Sequence, residues 1–325
     1  GGADASGAVT SANLTVNSIG AISLTSGGNQ AYTQIGHGGF NATTLSVSNA
    51  AIAINTAVGT GTGDITLTGG SGTNASAIIG HGGARTDTTL TNDMNASGDV
   101  TISRAANVRV NAGSNTDSFA QIGHAGERAT ATFSGNIAVT SSGLVQVQGG
   151  ASGTGAYGQI GHGGRIHNGV KSGSITVSAV GPLSLLGGGG IGSSAQIGHG
   201  GGSSSGNLTG DIALNVGGNV SLLGGSLDEA YAQVGHGGHL ATGTFGGNVG
   251  LNYNFGTNQV TGAAGSITMT GGSGLAKDAY AQFGHGGSGN NIGISAKSGN
   301  VVVGGVTSAT LSGGVGTSGD NFVQI

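Results

Sequence analysis

"AYAQVGHGG" at 230–238 and "AYAQFGHGG" at 279–287 are nearly the same string, and the chain is built around copies of it. The copies fall at 31–39, 76–83, 119–126, 157–164, 194–201, 231–238 and 280–287, and their histidines are His37, His81, His124, His162, His199, His236 and His285. Successive histidines are 44, 43, 38, 37, 37 and 49 residues apart. An eighth copy begins at "NFVQI" (321–325), where "GHGG" would follow, so the expectation is a piece of a longer array. Recurrence at this period marks a repeat architecture, and residues 1–325 read as one continuous array.

Between the motifs lie short alternating runs such as "SITVSAV" (174–180) and "GDIALNV" (210–216). Alternation of Val, Ile and Thr with small polar residues is the pattern of half-buried strands. Helix is not expected: 75 of 325 residues are Gly, and no window carries apolar residues at i, i+3, i+4 and i+7. With 35% hydrophobic residues in such runs, disorder is not expected either. Propeller blades have a similar period, but the chain has no Trp and no systematic two-residue hairpin turns. The fold class is therefore all-β, a right-handed parallel β-helix (β-solenoid). Coils of about 20 residues put about two coils in each GHGG repeat, which makes roughly 16 coils and a rod of roughly 75–80 Å. Motif copies would then lie about 9.6 Å apart.

Within the motif the residues two before each His are Ile, Ile, Ile, Ile, Ile, Val and Phe, which read as core. The His then turns inward at the end of its strand, and the flanking Gly residues let the backbone turn and another strand come close. A corner imidazole hydrogen-bonded to neighbouring main chain is the expected role. Gln34, Gln121, Gln159, Gln196, Gln233 and Gln282 fall on the other face and predict an external polar row. Ligands about 9.6 Å apart cannot share one ion, so no metal site is expected beyond adventitious binding at His236 and His239. The 12 Asp and Glu residues do not recur in pairs at any repeat position, and Glu127, Asp228 and Glu229 read as solvated loop residues. No catalytic residue or cofactor site follows, and the chain does not read as an enzyme.

The net charge of −4, with only 8 scattered Lys and Arg, provides no basic stripe for nucleic acid. No apolar run approaches the roughly 18 residues of a membrane helix, so this segment is not expected to insert in a membrane. The absence of Cys excludes disulfides and thiolate sites. The coils "GDITLTGG" (63–70), "GPLSLLGG" (181–188) and "GNVSLLGG" (218–225) resemble those of filamentous-haemagglutinin-like exoproteins of Gram-negative bacteria, exported by two-partner or autotransporter routes. The family's Asn-Pro-containing secretion motif has no counterpart, since the only Pro is Pro182. The resemblance implies an extracellular rod at the bacterial cell surface, part of a large adhesin whose partners are cell-surface or extracellular-matrix ligands. A self-assembling filament or sheath subunit is the alternative. A polysaccharide-active β-helix enzyme is the remote one, and would need carboxylates clustered in a groove.

Overall fold

A computed structural model describes residues 7–41, 45–56, 63–83, 95–124, 126–274, 276–289, 294–316 and 321–325. Ala125, inside one motif copy, lies outside these residues, as do positions 1–6 of the expected array. The chain is all-β and winds into a parallel β-helix: four sheets of eight strands each, every sheet taking one strand from each coil. One coil runs through Phe133–Ser134 in the first sheet, Ile137–Ser141 in the second, Val145–Gln148 in the third and Gly158–Ile160 in the fourth. The next coil repeats the order with Lys171–Ser172, Ile175–Ala179, Leu183–Leu186 and Ala195–Ile197.

Strand pairing corrects the expected coil count. Ile137 pairs with Ile175 and Ile175 with Ile212, so one coil consumes one whole repeat rather than half of one. Each repeat forms four short strands, and Gly corners are sharp enough to close them into a single turn. With eight coils at about 4.8 Å, the stack is about 35–40 Å long, roughly half the expected length. Neighbouring motif copies therefore lie one strand spacing apart, not two.

The corners explain much of the glycine. Gly135, at φ 134°, joins the first and second sheets, and a Cβ there would lie 2.1 Å from the Gly98 carbonyl oxygen of the adjacent coil. No other residue allows that approach. The long last interval, 49 residues, holds an antiparallel hairpin, Tyr253–Asn254 with Gln259–Val260. Where the chain leaves the second sheet for this hairpin, the buried Asn252 side chain substitutes for a strand. Its Oδ1 accepts from the Val216 N–H at 2.7 Å, and its Nδ2 donates to the Val216 carbonyl at 2.9 Å.

The main core is formed by inward residues of the second, third and fourth sheets only, such as Ile175, Val177, Leu183, Leu185, Ala195 and Ile197. The first sheet keeps small clusters of its own: Val47, Ala96 and Phe133 in one, Leu208 and Phe245 in another. A further cluster, with Ile78, Phe119 and Tyr157, lies on the outer face of the fourth sheet. Among the described residues no helix is long and apolar enough to cross a membrane.

Candidate functional site

The motif histidines follow the fourth sheet, at the corner leading to the first. Their rings stack down the rod with centroids 4.6–5.1 Å apart and planes within 22° of parallel. The stack follows from the pairing: equivalent residues of adjacent coils lie one strand spacing apart, and the Gly neighbours leave the rings unobstructed.

From His81 to His285 both ring nitrogens are committed to the backbone. Nδ1 accepts the main-chain N–H of the histidine one coil earlier, from His37→His81 to His236→His285, at 3.0–3.3 Å. Nε2 then carries the proton and donates to a carbonyl at the corner between the first and second sheets of its own coil. His81 reaches Ala50, His162 reaches Gly135, His199 reaches Gly173 and His236 reaches Gly210, all at 2.7–2.8 Å. This pattern requires the neutral Nε2–H tautomer, because a protonated ring cannot accept at Nδ1. The imidazole thus links two corners within a coil and two coils to each other. Together the rings separate the main core from the clusters under the first sheet.

Burial acts in the same direction. Desolvation holds His81 and His162 down to about 4, with a smaller contribution to His81 from His37, and holds His236 down to about 3, helped by the neighbouring His285. His124 and His199 are lowered well below the ordinary range, first by burial and then by neighbouring imidazoles. The short ring spacing removes the distance argument against a shared metal, which assumed two coils between copies. The lone pairs are nonetheless occupied, since each accepting Nδ1 already holds a backbone proton. Among the described residues no three His, Cys, Asp or Glu side chains are grouped to hold one ion. His236 belongs to the ladder, whereas His239 lies outside it, with Nε2 3.5 Å from Glu229 and Nδ1 3.1 Å from the Ser288 hydroxyl.

The glutamines are not an external row. Gln121, Gln159, Gln196, Gln233 and Gln282 are buried, and Gln34 is half-buried. The loops on either side of the fourth sheet roof its outer face, so alternation along the strand does not separate core from solvent there. The amides of Gln121, Gln159, Gln196 and Gln233 bond to the next coil: Gln159 Nε2 donates to the carbonyls of Gly198 and Gly200 at 2.8 and 2.7 Å, and Gln196 to those of Gly235 and Gly237 at 3.0 Å. Beside the glutamines runs an aromatic stack, with Phe119 on Tyr157 at 4.8 Å and Tyr231, Tyr280 and Phe322 in succession at 4.9 and 4.8 Å.

Ionisable residues interrupt this uniformity in two neighbouring coils. Glu127, expected to be solvated, is fully buried, and neither of its carboxyl oxygens has a hydrogen-bond partner among the described residues. Its Oε1 lies 3.7 Å from Arg165 and 4.0 Å from Arg128. Those guanidiniums are shared with Asp117, at 3.4 and 2.9 Å. Burial raises the Glu127 carboxyl well above the usual range, and the adjacent Asp117 adds to this. Under the first sheet, Lys171 is fully buried, donates from Nζ to the carbonyls of His167 and Ser205 at 3.0 and 2.9 Å, and is lowered by desolvation to about 7. The His167 ring packs on Phe133 at 4.8 Å, with neither nitrogen partnered among the described residues. The GHGG motif itself carries no sign of Lys171. The available signal was register, since counting eight residues past Gly163 and past Gly200 puts Lys171 where Leu208 stands.

Comparison with protein-family models, with curated proteins and with solved structures finds no match to this chain.

Proposed function

We propose that the chain is an extracellular structural rod, a segment of a large bacterial surface adhesin or exoprotein. The observation that supports this most is the double tie between coils. Beyond the strand ladders, a histidine and in most coils a glutamine bond each turn to the next. Such a stack transmits load along its axis without relying on a thick core. Low charge keeps equivalent residues of adjacent coils from repelling each other at one strand spacing. Attachment to other cells or to matrix is then a property of surfaces along the rod or of other parts of the same protein.

Antibodies against this segment test the reading on cells of the source organism. Labelling of intact cells, lost after brief surface proteolysis, is the expected result. Labelling only after permeabilisation overturns it.

A further inference from the structure

Most coils leave the third sheet through two glycines, with Ala112 and Gly113 in the third coil, and extend a short loop before entering the fourth. The glycine at the second position closes the loop at its base: the N–H of Gly70 reaches the Ala75 carbonyl at 2.9 Å, that of Gly113 reaches Ser118 at 2.7 Å, and that of Gly150 reaches Ala156 at 2.7 Å. These glycines are obligatory, since a Cβ on Gly70 would lie 2.2 Å from the Gly27 oxygen of the previous coil. The protruding loops and the outer face of the third sheet meet at an angle, and the angle repeats in every coil. The result is a trough parallel to the rod axis, open as a cavity of about 440 Å³ over the first four coils and as another of about 430 Å³ further along.

The first cavity has a distinct chemistry. Its floor is made of small residues, Gly, Ser and Ala, and its wall is a column of one polar side chain per coil: Thr25, Thr68, Asn111 and Gln148. Pairing of Ile22–Thr25, Ile65–Thr68, Val108–Asn111 and Val145–Gln148 in register sets this column at one strand spacing, about 4.8 Å. Among the described residues no charged side chain lines either cavity. Asn111 Oδ1 is buried in the wall and has no hydrogen-bond partner among the described residues. Next to it the Gln148 amide uses its oxygen to accept from Gln146 at 2.8 Å, which leaves its NH₂ to donate. A buried carboxamide oxygen without a partner is costly, and in a trough it marks a place for a donor.

We propose that this first stretch of the trough binds a neutral linear glycan, with ring hydroxyls donating to Asn111 and accepting from Gln148. Nucleic acid and acidic glycans need cations that the wall lacks. Strand addition by a peptide needs a free sheet edge, and the third-sheet strands here are paired with one another in register, so β-augmentation is not available along the wall. A polyhydroxylated chain needs what is present: carboxamides and hydroxyls at short regular intervals over a flat floor that a ring can approach closely. The proposal names a ligand class for the surface rod and rests on that reading for its setting. Binding by the purified chain and labelling of intact cells are separate measurements, so either can fail alone.

The test is affinity electrophoresis and calorimetry of the purified chain with soluble β-glucan, galactan and mannan, and with a polyuronate as the charged comparison. At least one neutral polymer is expected to bind. The double substitution Asn111→Ala with Gln148→Ala should weaken binding at least tenfold with an unchanged melting temperature, whereas Leu223→Ala, in the second cavity, should leave it within twofold. Absence of binding to all three neutral polymers overturns the proposal. So does tighter binding of the polyuronate, or unchanged binding by the folded double variant.

Discussion

Residues 163–171, "GGRIHNGVK", and 200–208, "GGGSSSGNL", occupy the same turn of two successive coils. Their backbones coincide in kind: Ile166 and Ser203 are left-handed at φ 54° and 55°, and Gly169 and Gly206 have φ 110° and 109°. Their buried contents do not. The first stretch puts His167 and Lys171 where the second puts Ser204 and Leu208. The difference shows that the path of the chain is set by its glycines and its ladders, while the cluster under the first sheet accepts a range of side chains at a range of energetic costs.

Four experiments would break or sharpen that comparison. Acid should have the largest effect, because it acts on the ladder that both stretches share. The imidazoles of His81, His124, His162, His199, His236 and His285 have folded values below the ordinary 6.5, so the unfolded chain takes up their protons first. Stability is then full above about pH 6.5 and falls as pH drops towards 4. A ring lowered to about 4 contributes about 3 kcal/mol at neutral pH. Several acting together should bring thermal unfolding at pH 4 far below that at pH 7.5, and equal melting temperatures would exclude the neutral ladder.

Next in size is Gly206→Ala, which attacks the shared backbone. Its Cβ would sit 2.3 Å from the Gly169 oxygen, so the two coils must separate. A loss of about 4 kcal/mol or failure to fold is expected, read by chemical denaturation.

His199→Ala should follow, at about 2–4 kcal/mol. It leaves the His162 N–H and the Gly173 carbonyl without partners and opens a gap in the ring stack. His37→Ala, at the first coil and half-exposed, should cost clearly less.

Lys171→Leu is the smallest effect and of opposite sign. The Lys171 amine is lowered to about 7 from an ordinary 10.5, so burying it opposes folding throughout the range below pH 7, and that opposition fades as pH rises towards 10.5. Making this stretch like its neighbour should therefore raise stability by about 1–2 kcal/mol at pH 7, after the two lost carbonyl hydrogen bonds are counted. The gain should shrink at pH 10. Destabilisation at pH 7 would mean that the amine's bonds to His167 and Ser205 outweigh its desolvation.

Much of this was legible in the sequence. Alternation in "SITVSAV" and its counterparts identified the strands, the absence of helical spacing identified the class, and Gly–His–Gly identified a corner. The coil count was not legible. A run of four short strands is locally the same whether it closes once or twice, and only the pairing of Ile137 with Ile175 decides it. The glutamines misled for a related reason: alternation assigns a residue to a face of its strand, but roofing loops decide whether that face meets water. Glu127 carries no local sign of burial, since its surroundings come from Asp117, Arg165 and the covering turns.

By itself, then, the sequence determined the elements: which residues extend, where the chain must bend, and that one motif marks each period. Those properties follow from local sterics and side-chain polarity. The tertiary structure alone decided the period of the coil, the 4.6–5.1 Å spacing that turns seven separate histidines into a ladder, and the burial of the glutamines. These depend on contacts between residues some 37 to 49 positions apart, and no local pattern encodes how far along the chain a strand finds its partner.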